Sequence, residues 1–150
     1  MNISLITNLY DGRLYQSDAP DDEVTHFDAA GRRLLLIEMA AGIDALHWVR
    51  TGDLTSVLYF GIDDSPEGCL EDASLVALAD MACAWLQNGG DVLSGCAAGV
   101  SRSSYANCAI LMVARNLDFD EALTLIRAAR PQANPNPGFV GQLRRLGRGL

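Results

Sequence analysis

The stretch Val92-Leu93-Ser94-Gly95-Cys96-Ala97-Ala98-Gly99-Val100-Ser101-Arg102-Ser103 decides how the rest of the chain is read. It begins in a short apolar strand, Asp91 to Ser94, and passes through small residues that let the backbone wrap closely. It then enters a helix in which Ala106, Ala109, Ile110 and Val113 fall at i, i+3, i+4 and i+7, the spacing of one buried face. A strand feeding a tight loop that opens into a helix predicts an α/β fold, a central mostly parallel sheet flanked by helices, with functional loops at the strand ends.

Outward from this stretch the pattern is consistent. Upstream, Thr55 to Ile62 is rich in β-branched and aromatic residues and ends in the polar loop Asp63-Asp64-Ser65-Pro66-Glu67-Gly68, as a buried strand should. Asp72 to Asn88 reads as a helix stopped by Gly89-Gly90, with Leu75, Val76, Leu78, Met81, Trp85 and Leu86 as apolar positions. Downstream, the helical spacing recurs at Phe119, Ala122, Leu123 and Ile126, opened by Asp118 and Glu121 as a capping box. A last helix has Asn136 as cap and Pro137 in its first turn. The first third holds strands at Ile3 to Ile6 and Leu34 to Met39, around an acidic stretch, Asp18 to Asp28, suited to begin a helix. Met39, Met81 and Met112 read as core filling.

The loop carries a definite chemistry. Successive backbone N–H groups of Ala97, Ala98, Gly99, Val100 and Ser101 can converge on one concavity and bind an oxyanion, reinforced by the positive end of the following helix. The same positive surroundings favour thiolate over thiol, which makes Cys96 a candidate nucleophile. Arg102 can grip two phosphate oxygens with its planar guanidinium, and Ser103 can donate to the sulfur when the thiolate departs.

Cys-x5-Arg-Ser between a strand and a helix resembles the signature of the protein tyrosine phosphatase superfamily. Three features resemble its dual-specificity branch: Asp63-Asp64-Ser65-Pro66, 32 positions before the cysteine; Gly99-Val100-Ser101-Arg102-Ser103-Ser104; and the ending Arg130-Pro131, Asn134-Pro135-Asn136-Pro137-Gly138-Phe139 and Gln142-Leu143. The likeness covers about residues 55 to 150. It implies Cys96 as nucleophile, Asp64 as general acid with Asp63 as the alternative, Arg102 and the loop amides as phosphate holders, and no metal or organic cofactor. One departure stands out: Gly95 occupies the place where the family usually has His before the nucleophile, and Ser94 is the nearest replacement donor.

Composition narrows the partners. The 150 residues carry a formal net charge of −8, and all 11 cationic side chains are Arg. That balance argues against nucleic acid, and the absence of Lys excludes a Walker-type lysine or a Schiff-base cofactor. Cys69, Cys83, Cys96 and Cys108 show no zinc-ligand spacing and read singly as buried thiols. No apolar run is long enough to span a membrane and no leader is evident, so one cytoplasmic domain over residues 1–150 is expected. The expected substrate is a phosphorylated protein or a simple aryl phosphate. With no cation at 97 or 98, a polyphosphorylated lipid fits less well, as does an RNA 5′-triphosphate. Two other readings stay open: a phosphate-recognition module that has lost turnover through Gly95, and a sulfur-transfer enzyme, which needs no upstream acid.

Overall fold

The computed structural model describes residues 2–19, 27, 30–41 and 54–150. Five strands form one sheet: β1 (Ile3–Leu9), β2 (Gly12–Ser17), β3 (Leu34–Ala40), β4 (Thr55–Ile62) and β5 (Asp91–Gly95), in the order β1-β2-β5-β3-β4. Only β1 and β2 pair antiparallel; β2, β5, β3 and β4 run parallel. The α/β class and the mostly parallel sheet expected from sequence are therefore present. Strand β5 is central, with Ser17 of β2 and Glu38 of β3 both registered against Gly95. The loop after β5 thus leaves from the middle of the carboxyl edge, where open α/β sheets place their ligands.

The helices are α1 (Asp72–Gln87), α2 (Arg102–Arg115), α3 (Phe119–Ala129) and α4 (Pro137–Leu146). Leu35, Ile37 and Met39 of β3 belong to the large core shared with these helices. Leu34 and Leu36, pointing to the opposite face, join Leu93 in a smaller cluster with Tyr15, Phe27 and Val57. The capping box at α3 forms as expected, with Asp118 Oδ1 accepting from Glu121 N and Glu121 Oε2 from Asp118 N, each at 2.9 Å. Phe119, Ala122, Leu123 and Ile126 are all buried.

Two expectations need correction, and one strand is additional to those expected. Strand β2 does not stand out in the sequence. It follows β1 through a two-residue turn, Tyr10-Asp11, in which Tyr10 takes a left-handed φ of 52°. Met81 is not core filling: it lies on the outer side of α1 and is 49% exposed. Helix α2 is buried well beyond one face, continuously from Ser103 to Met112, because the sheet, α1, α3 and α4 surround it. The helix suggested within Asp18 to Asp28 falls largely outside the described residues.

Candidate active site

Cys96 sits one residue beyond β5, 2% exposed, with its thiol 3.3 Å from the Oγ of fully buried Ser103. Between Cys96 and α2 the loop carbonyls are held from behind. Gly99 O accepts from Gln16 Nε2 at 3.1 Å and from Arg130 Nε at 2.7 Å. Val100 O accepts from Asn134 N at 2.9 Å and Ser104 Oγ at 2.6 Å. Gly99 is required here: φ is +63°, and a Cβ would lie 2.3 Å from Arg130 Nη2 and 2.6 Å from Asp18 N.

With the carbonyls turned away, the amides are left over. Among the described residues, no backbone N–H from Ala97 to Arg102 donates a hydrogen bond. Helix α2 also opens without a side-chain cap, because the Ser101 hydroxyl is engaged elsewhere. Unsatisfied N–H groups at a helix start are an anion-binding arrangement. Ala97 and Ala98 are exposed at the mouth, Gly99 and Ser101 are buried, and Val100 and Arg102 are half-buried. Arg102 donates from Nη1 to Ile62 O at the end of β4, 3.1 Å away. Its Nε is buried without a partner, a charged donor that an anion in the loop would satisfy.

Asp64 is tied directly to this loop. Its Oδ1 accepts from Ser101 Oγ at 2.6 Å and from Asn136 Nδ2 at 2.9 Å. Asp63, exposed like Asp64, makes no comparable bond to the loop. Asn136 therefore does more than cap α4. Its Oδ1 accepts from Gly138 N and Phe139 N at 3.0 and 3.1 Å, its Nδ2 also reaches Ser65 O at 3.1 Å, and its own N donates to Ser101 Oγ at 3.0 Å. Gly138 permits this close approach, since a Cβ there would lie 2.1 Å from Pro66 O.

The roles of the supporting residues escape a reading of sequence alone, although Arg130 belongs to the family-like ending. Gln16 lies in the unrecognised strand β2 and links Gly99 to Ser104, at 2.8 Å, and to Asn107 Nδ2, at 3.1 Å. Arg130, 2% exposed, spans Gly99 O, Asn2 O and Ser4 Oγ. A polar residue inside an apolar helix, as at Asn107, is the one signal that hints at such a network. Ser94 does not take over from the usual histidine: its Oγ is buried and unpartnered.

A model of the dual specificity phosphatase catalytic domain matches residues 65–148. The chain belongs to that family. Rat dual specificity protein phosphatase 15 is 48% identical over 60 residues, 40% of this chain and 25% of the relative. Dual specificity protein phosphatase MPK-4 of Drosophila melanogaster is 42% identical over 93 residues, 59% of this chain and 24% of the relative. Each alignment thus spans about a quarter of the curated relative. Over nearly its whole length the fold is similar to solved dual-specificity phosphatases. DUSP15 superposes with a TM-score of 0.77 at 26% identity, covering 93% of this chain and 85% of that one. A human DUSP28 variant gives 0.77 at 25% identity, covering 97% and 93%.

Proposed function

We propose that this dual-specificity phosphatase domain, read as one unit over residues 1–150, is a cysteine-dependent phosphomonoester hydrolase acting on phosphotyrosine, phosphoserine or phosphothreonine in proteins. The observation that carries the reading is the short bond from Ser101 to Asp64, which fixes a carboxylate beside a loop of free amides that begins at Cys96. In the first step the Cys96 thiolate attacks phosphorus, the bond from phosphorus to the leaving oxygen breaks, and Asp64 protonates that oxygen. In the second, Asp64 takes a proton from water as its oxygen attacks phosphorus. The S–P bond then breaks, and Ser103 donates its hydroxyl to the returning thiolate. Arg102 and the amides of Ala97 to Ser101 hold the charge on the equatorial oxygens, so no metal is needed in either step.

Exposed Ala97 and Ala98 bring no cation to the mouth, which favours a phosphoprotein over a polyphosphorylated lipid. A net charge of −8 disfavours nucleic acid. No described helix is long and apolar enough to cross a membrane, and a thiolate nucleophile suits a reducing, cytoplasmic setting. A pure recognition module needs neither the carboxylate nor its tether, so the Asp64 arrangement favours turnover. Rapid quenching of an Asp64→Asn variant with an aryl phosphate tests the mechanism. Phosphate on the peptide containing Cys96 is expected; phosphate on another residue, or release without any covalent species, contradicts it.

A further inference from the structure

Glu38 is a fully buried carboxylate that the proposed reaction does not use. It lies at the carboxyl end of β3, its Cα registered against Gly95, the residue before the nucleophile. Parallel neighbours sit about 5 Å apart, and Gly95 offers no side chain to fill the space between. Glu38 Oε1 accepts from Ala40 N at 2.8 Å, while Oε2 is buried with no partner. Arg102, with its own buried and unpartnered Nε, acts on this carboxylate through its charge, although no hydrogen bond joins them. Among the described residues, β5, β4 and α2 also carry Asp91, Tyr59, Tyr105, Cys108 and Arg115, with Cys96 following β5, but the charged group that acts on Glu38 is Arg102 at the start of α2.

A buried anion behind the phosphate-gripping guanidinium competes with any anion in front of it. We propose that Glu38 is a proton-linked tuning residue of the phosphate loop, ionised against Arg102 when the loop is empty and protonated when an oxyanion occupies it. This rests on the loop being an oxyanion site, as the proposed function holds. Two negative groups that both draw on one guanidinium, one of them buried, cannot both stay charged without cost. Burial pushes the Glu38 carboxyl up to about 7, so the exchange falls in the physiological range. By linkage, oxyanion affinity then falls as pH rises above neutrality, at most about tenfold per pH unit.

The test is calorimetric titration with tungstate, a dianion that does not titrate near neutrality, in the Cys96→Ser background to remove the thiol. It is run from about pH 6 to 9 in buffers of different ionisation enthalpy, which counts the protons taken up. Expected is uptake of a substantial fraction of one proton near pH 7.5 in Cys96→Ser, lost in Cys96→Ser/Glu38→Gln, with tighter binding by the latter at high pH. Tight binding with no proton uptake overturns the role of Glu38 and leaves the phosphatase reading intact, and so does uptake that persists without Glu38. No tungstate binding by a folded Cys96→Ser protein overturns the loop assignment and this inference together. If the double variant fails to fold, Cys96→Ser/Asp64→Asn decides: uptake that survives loss of the other carboxylate at the loop supports Glu38, and uptake lost with Asp64 overturns its role.

Discussion

The Ser101 hydroxyl donates to Asp64 Oδ1 across 2.6 Å, and this bond joins the loop that would hold phosphate to the loop that would supply the proton. Ser101 is the residue from which α2 starts, so the carboxylate is referenced to the helix end and not merely to its own turn. Asn136 closes the arrangement from the third side by contacting both Ser101 and Asp64.

Asn136 combines two duties that substitutions separate. Asn136→Ala should lose about 1 kcal/mol through the cap and about tenfold in kcat through the freed carboxylate. Asn136→Asp retains a capping oxygen at the positive helix end, so its stability should stay near wild type. It lacks the donor and sets a second carboxylate against Asp64, so kcat should fall at least as far as in Asn136→Ala. Thermal melts alongside steady-state kinetics check this; equal stability losses in both variants contradict it.

Arg130 and Gly99 hold the loop from behind. Arg130→Met should cost about 2 kcal/mol or more, because Gly99 O loses a charged donor and Asn2 O and Ser4 Oγ lose theirs. Arg130→Lys should recover little, since one ammonium cannot span three acceptors as a planar fork does. Gly99→Ala should be comparably destabilising through its left-handed φ and the contact with Arg130. Urea midpoints measure all three, and a lysine variant as stable as wild type counts against the clamp.

Ser103 faces the sulfur. Ser103→Ala should leave formation of the cysteinyl-phosphate nearly unchanged and slow its hydrolysis by roughly 10- to 100-fold, the worth of one hydrogen bond to a charged atom. A burst of aryl alcohol followed by slow turnover is the expected signature. Slowing of the burst itself assigns Ser103 to the first step instead.

Glu38 also bears on stability. Its folded-state carboxyl is raised to about 7 by burial, so the penalty is absent below the unfolded value, grows as pH rises through that range, and is complete above about 7. At about 1.4 kcal/mol per pH unit this amounts to roughly 3 kcal/mol. The stability of Glu38→Gln relative to wild type should therefore improve by that order between about pH 5 and 8, read from urea midpoints. A constant difference at both pH values contradicts it.

The loop proposed to be catalytic is legible because its chemistry is local. Cys96, Gly99, Arg102 and Ser103 lie within eight positions, and the neighbouring apolar runs place them between a strand and a helix. The α3 box and the Asn136 cap are local for the same reason. What was hidden is nonlocal. Strand β2 carries buried Gln16 and Ser17 where a half-buried strand would show apolar residues, because Gln16 serves a network with Gly99 and Ser104 far along the chain. The Asp11-Gly12 pair points to a turn one residue late, since the turn is Tyr10-Asp11. Met81 fits the helical period loosely, and only packing shows that it faces outward. Nothing in the sequence couples Glu38 to Gly95; strand register does that.

The most direct test is hydrolysis of a small aryl phosphate in the presence of a metal chelator by wild type, Cys96→Ser and Arg102→Ala. Turnover that persists under chelation and collapses in both variants is the predicted result. Turnover abolished by the chelator, or retained by a folded Cys96→Ser protein, would contradict cysteine-dependent phosphate transfer at this loop.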